Sequence, residues 1–131
     1  MLFKIIAILL LTLATAFDLF LAYRSYKARN NPIPEELSDV YDTETYLKWK
    51  SYKAEHIKVN VIFNLISYAI SLVFIASNLL ALIVGGMDNP YNSSIVVVAV
   101  ITGVNLIPDF IHEYISTMKI EAKYGFNKSS L

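Results

Sequence analysis

The residues whose types could do chemistry lie in short polar rows within otherwise apolar sequence. His112-Glu113-Tyr114-Ile115-Ser116 begins like His-Glu-x-x-His, a pattern that places two imidazoles on one helical face to hold zinc. The fifth position is Ser116, so the second imidazole is missing, and the other histidine, His56, lies more than fifty residues away. The chain has no cysteine, which removes thiolate zinc sites, iron–sulfur clusters, disulfides and cysteine nucleophiles. It also has no glycine-rich phosphate loop, nucleophile elbow or paired-carboxylate signature. No catalytic residue, no metal ligand and no cofactor of its own is therefore assigned to this chain.

The remaining polar residues follow helical spacing. Asn60, Asn64, Ser67, Ser71 and Asn78 are separated by 4, 3, 4 and 7, which puts them on one stripe. Asn105, Asp109, His112 and Ser116 repeat the pattern at 4, 3 and 4, with Glu113 one turn after Asp109. Nearer the amino terminus stand Thr12, Thr15 and Asp18. An amide facing lipid leaves donors and acceptors unpaired at about 2 kcal/mol or more each, so the stripes must face protein or water. Interhelical hydrogen bonds worth about 0.6 kcal/mol each are one account, and they suit the serines and threonines. A water-containing interior is the other, since ionisable residues within a membrane mark cavities and pathways. On that account Asn60, Asn64, Ser67, Ser71, Asn78, Asn105, Asp109 and His112 are the candidate lining residues.

The elements that must position these residues are membrane helices. Val59 to Met87 is twenty-nine residues without a charge, and Asn89 to Pro108 is another twenty. About 20 helical residues cross a hydrocarbon core of about 30 Å, so both runs are long enough. Ile5 to Phe17 is an uncharged run of thirteen behind Lys4, and the apolar character resumes after Asp18 as far as Tyr23. Its short first part and Ala14-Thr15-Ala16 have the features of a cleavable signal peptide. The resumption and the aromatic–basic cluster Tyr23 to Lys27 favour an uncleaved first span instead. The predicted fold is thus an all-α membrane protein in one domain over residues 1–131. Its three transmembrane helices run over about 3–23, 59–86 and 94–115, with a loop 24–58 that carries a further helix and a tail 117–131.

Charge gives an orientation. Eleven Lys and Arg balance eleven Asp and Glu, which leaves no basic excess for nucleic acid. Seven of the basic residues lie in 24–58, three follow Thr117, and one precedes the first span. The positive-inside rule then predicts the amino terminus outside and the loop and tail in the cytoplasm. In the loop, Pro32 and Pro34 exclude regular helix. From Asp42, an N-cap residue, the segment DTETYLKWKSYKAEHIK has no Gly or Pro and reads as a helix that can continue into the second span. Tyr46, Trp49, Lys53 and His56 share a face of it, which suits either the headgroup region or a solvated extension of the span. At the end, Gly125 is a helix stop and Asn127-Lys128-Ser129-Ser130 offers N-cap residues, so a further helix is expected to follow.

These segments resemble a known family. The tail TMKIEAKYGFNKSS is similar to the Ile-Glu-Glu-Lys-Tyr-Gly-Phe-Asn-Lys-Thr element of type I CAAX prenyl endopeptidases, the membrane-integral zinc metalloproteases. The proline of NLIPDF falls where the family has a Pro ahead of that element, and the loop NPIPEELSDVYDTETYLKWKSYKAEH resembles its first cytoplasmic loop. The resemblance covers essentially the whole chain as the family's N-terminal membrane domain, and bacterial members look closest. It implies a multi-pass protein of a bacterial cell membrane that walls part of a hydrated intramembrane chamber. The implied partners are the bilayer and the remaining transmembrane helices and protease domain, on the same or another chain. It also implies zinc in full-length members, but the zinc helix and its downstream glutamate have no counterpart here, so the chain is expected to be inactive alone. The alternative is a free-standing three-span membrane protein, acting as an assembly partner or as an oligomeric transporter-like subunit.

Overall fold

The computed structural model describes residues 2–29, 31–32 and 42–127, and what it describes is helical, with no strand among those residues. Helix α1 spans Leu2–Ala28, a stretch free of Gly and Pro. It closes where the Asn31 amide bonds to the Ala28 carbonyl at 3.1 Å, with Pro32 next in sequence. At 1.5 Å per residue α1 is about 40 Å long, more than a hydrocarbon core needs.

Helix α2, Thr43–Ala76, joins the loop helix to the second span without a break. Asp42 caps it, its carboxylate accepting from the Thr45 amide at 2.7 Å and from the Thr45 hydroxyl at 2.8 Å. The uncharged run expected to form one span over 59–86 is divided. Ser77 leaves the helix in an extended conformation and its hydroxyl accepts from the Leu79 amide at 3.3 Å. A short helix α3, Leu79–Val84, then restarts. Ser and Asn compete for backbone partners, and at 77–78 they supply the break that hydropathy does not reveal.

After the turn at Gly85 to Met87, Asn89 caps helix α4, Pro90–Tyr114, by accepting from the Tyr91 amide at 2.9 Å. Pro90 sits in the first turn, where its missing N–H costs nothing. The helix begins earlier than the expected 94 and carries Pro108 in its interior. It then widens into π-helical turns over Ile115–Glu121 before a last α-turn, α5, at Ala122–Tyr124. Gly125 ends it with φ of 75°, a left-handed cap that a side chain would strain. Beyond Asn127, the residues expected to start another helix lie outside those described, as do residues 33–41 of the loop.

Helix α2 packs on both α1 and α4. Three stretches, Leu2–Ala28, Thr43–Ala76 and Pro90–Tyr124, are long and apolar enough to cross a membrane. Large apolar side chains such as Leu13, Phe17, Val73, Val98 and Phe110 are exposed around them, as lipid-facing residues are. The tightest packing lies beyond the uncharged runs, where the amino-terminal half of α2 meets the π turns. Ala54, Ile57, Ser116 and Ile120 are all buried there, two of them small enough to let the backbones approach closely.

Candidate functional site

The polar residues of α2 reach both neighbouring helices. On the α1 side, Lys4 donates to the Ser77 carbonyl and to Asn78 Oδ1, both at 3.0 Å. Thr12 Oγ1 and the Tyr68 hydroxyl lie 3.0 Å apart, and Asn64 Nδ2 donates to Asp18 Oδ2 at 3.4 Å. Partners that descend α1 while climbing α2 are the mark of an antiparallel pair. On the α4 side, His112 Nε2 stands 2.7 Å from Asn60 Oδ1. In the tautomer with its proton on Nε2, the imidazole donates to that oxygen.

Helix geometry explains the division. At 100° per residue, Ser67 and Ser71 fall within about 20° of Asn60's direction and Asn64 within about 40°. Asn78, expected on the same stripe, lies past the break at Ser77 and outside α2, so helical spacing does not set its direction. Tyr68, bonded to α1, is about 80° to one side, while His56 and Tyr52, packed toward α4 and its tail, are about 40° and 80° to the other. The stripe therefore points between the two flanking helices. Asn60 is exposed there, Asn64, Ser67 and Ser71 are half-buried, and Asn78 is exposed beyond the break. On the opposite side of α2, Ile62, Leu65 and Val73 present apolar surface.

Beyond the uncharged runs, the site closes into an aromatic cluster. The His112 ring packs edge-on against Phe63 at 5.3 Å and His56 at 6.4 Å between centroids. Tyr52 packs against His56, Tyr124 and Phe126 at 5.7, 5.8 and 4.8 Å, which brings the tail back onto α2. Lys123 pairs with Glu55 across the same contact. That pairing, outside the uncharged runs, holds the Glu55 carboxyl below its ordinary range and the Lys123 ammonium above its own. Partial burial, with a contribution from the charge of Glu121, raises the Tyr52 hydroxyl.

Not every predicted residue is drawn in. Asn105 turns back to the Ile101 carbonyl of its own helix at 2.9 Å. Asp109 is exposed, next to Leu106, Ile107 and Phe110, and makes no hydrogen bond among the described residues. Ser67 and Ser71 make no side-chain hydrogen bond among them either. Residues that spacing did not single out include Tyr68, Tyr52 and Phe126. Tyr68 could have been found as the i+4 neighbour of Asn64, whereas the tail aromatics depend on a fold-back that no local pattern encodes.

The arrangement does not suit hydrolytic chemistry. Ser116 Oγ lies 3.5 Å from His112 Nε2 at only 3% exposure, out of reach of any substrate, and that nitrogen already faces Asn60. Among the described residues no three His, Cys, Asp or Glu side chains converge on a point that could hold a metal. What the site can do is tie helices together and present amides and hydroxyls to a cleft.

A family model described as CAAX prenyl protease N-terminal, five membrane helices, matches residues 22–131. The chain belongs to that family. The matched region takes in the end of α1, all of α2 to α5 and the tail, so the polar face of α2, the aromatic cluster and the Glu55–Lys123 pair are parts of a CAAX protease N-terminal domain. No curated protein and no solved structure matches the chain.

Proposed function

We propose that this CAAX protease N-terminal domain walls part of a hydrated intramembrane chamber, the stripe Asn60, Asn64, Ser67, Ser71 and Asn78 facing its water. The observation that carries this reading is that one α2 stripe bonds to α1 through Asn64 and to α4 through Asn60, so it faces the cleft between them rather than lipid. Asn105, Asp109 and His112 would extend the lining along α4. Its contribution to proteolysis is shape and solvation: it holds water and polar groups beside a substrate but moves no proton and makes no bond. The residues here do not fit zinc, so the metal and its hydrolytic chemistry belong to a protease domain that partners this one, with further membrane helices completing the ring. The concentration of basic residues in the loop and tail supports the amino terminus outside and the tail in the cytoplasm, and the bacterial cell membrane follows from the family resemblance alone.

Because the chain has no cysteine, each introduced one is a unique probe. In vesicles, cysteines at 60, 64, 71 and 78 are expected to react with a membrane-impermeant maleimide faster than those at 62, 65 and 73. Equal silence of both sets refutes the hydrated face. Efficient disulfide cross-linking between two copies through position 71 favours the free-standing oligomeric reading instead.

A further inference from the structure

The exit of α1 is fastened to the start of α2. The Tyr46 hydroxyl donates to the Asn31 carbonyl at 3.3 Å, while the Asn31 amide bonds back to Ala28. Beside this fastening lies an open groove of about 220 Å³ lined by Arg29, Leu47, Lys50 and Ser51. Its two cations are each seated on an aromatic face. The Arg29 guanidinium is 3.9 Å from the Tyr26 ring centroid, and the Lys50 ammonium is 4.6 Å from that of Tyr46. Such contacts fix the side chains yet leave their N–H groups to donate elsewhere. Among the described residues, Arg29 Nε is buried without a hydrogen-bond partner and neither cation joins a salt bridge. Two cations with no carboxylate partner among the described residues give the groove the charge to hold an oxyanion.

Guanidinium, ammonium and hydroxyl together suit a tetrahedral phosphate: the fork of Arg29 takes two oxygens, Lys50 supplies a compact charge and Ser51 a further donor. The position indicates where the phosphate comes from. Arg29 lies just past the apolar part of α1, and a second groove of about 440 Å³ on the same stretch is lined by Phe20, Tyr23, Arg24 and Lys27 among others. Aromatic and basic residues at one level mark the headgroup layer, and Leu47 gives the groove an apolar wall. We propose that the groove of Arg29, Lys50 and Ser51 binds the phosphate headgroup of an acidic phospholipid. This depends on the helices crossing the membrane, not on the chamber reading, and fails or stands independently of it.

The sole tryptophan, Trp49, adjoins Lys50 and stacks on Tyr46 at 5.8 Å, so it reports on this groove. The full chain would be reconstituted in mixed phosphatidylglycerol–phosphatidylcholine vesicles with one lipid brominated on its acyl chains. Brominated phosphatidylglycerol is expected to quench Trp49 well beyond its mole fraction. Arg29→Gln and Lys50→Gln should each lower that preference about fivefold, as loss of one near-surface basic residue does. Lys119→Gln, which removes an exposed charge from the tail, should leave it unchanged. Equal quenching by both lipids, or a drop in Lys119→Gln matching that in Arg29→Gln, overturns the site. Loss of the preference on adding millimolar inorganic phosphate overturns the lipid assignment in favour of a soluble phosphate.

Discussion

The bond between Asn60 and His112 is the sharpest test of how α4 is held against α2. Removing it cleanly requires care, because His112 also packs edge-on against Phe63 and His56. His112→Phe keeps a ring at both contacts while deleting the nitrogen, and Asn60→Leu keeps the volume of the amide. Hydrogen bonds between membrane helices couple by about 0.6 kcal/mol on average and at most about 1.7 kcal/mol. At 2.7 Å this bond belongs in the upper half of that range, so a coupling of about 1 kcal/mol is expected from the double-mutant cycle. Asn64→Leu with Asp18→Leu, at 3.4 Å, should couple by less than about 0.6 kcal/mol. The assay is unfolding of the helical circular-dichroism signal in mixed micelles of increasing SDS fraction, on the four proteins of each cycle. Additivity within about 0.3 kcal/mol for Asn60 and His112 would refute the claim that this contact joins the helices. A larger coupling for the Asp18 pair would refute the ranking by distance.

Three other outcomes follow from the geometry. The Thr45 amide and hydroxyl hold the Asp42 carboxyl below its ordinary range, so this cap is present above the unfolded carboxylate range and is lost as pH falls through the folded value. Acidification is thus expected to speed amide exchange in the first turn of α2, and Asp42→Asn should retain the cap while abolishing that pH dependence. Gly125→Ala should loosen the tail by about 1 kcal/mol from its φ of 75° alone, because the added Cβ would meet nothing closer than Lys48 Nζ at 3.7 Å. Hydrogen exchange at Phe126 and Asn127, whose amides bond to the Glu121 carbonyl, reads it directly. Asp109→Leu should leave the SDS midpoint of the chain alone within about 0.5 kcal/mol, since Asp109 has no partner among the described residues to lose.

The contrast between these residues shows what a sequence can carry. Asn60 and His112 stood out because polar residues at helical spacing inside a long apolar run have few explanations, and the 4-3-4 pattern already fixed which faces they share. Spacing fixes a direction around one helix but not which neighbour occupies it. That is why Asn60 and Asn64, about 40° apart, could be placed on one stripe without revealing that they bond to opposite sides. Asp109 follows the same spacing as His112 yet pairs with nothing described, because α2 meets the other edge of the α4 stripe. The break at Ser77 and Asn78 escaped hydropathy, which weighs charge and apolarity but not the competition of short polar side chains for backbone donors. The cluster of Tyr52, Tyr124 and Phe126 was least legible, since it joins positions more than seventy residues apart through π turns that no local signal specifies.

Two kinds of physics divide the molecule at about Val59. Within the uncharged runs, an apolar side chain gains little by leaving lipid for a neighbouring helix, so association rests on close approach and hydrogen bonds. The side-chain ties made by residues of the run 59–87 are polar: Asn78 to Lys4, Tyr68 to Thr12, Asn64 to Asp18, and Asn60, near its edge, to His112. Beyond those runs the hydrophobic effect operates, and there Ala54, Ile57 and Ile120 are buried while Tyr52 and Phe126 stack. The aromatic and apolar foot thus sets where α4 stands against α2, and the polar bonds along the spans have only to fix rotation about the helix axes. A rotation that turned Asn60 away from the cleft would send Asn64, Ser67 and Ser71 with it, because all four ride on one helix. The foot therefore governs the aim of the polar stripe although it lies outside the stripe itself.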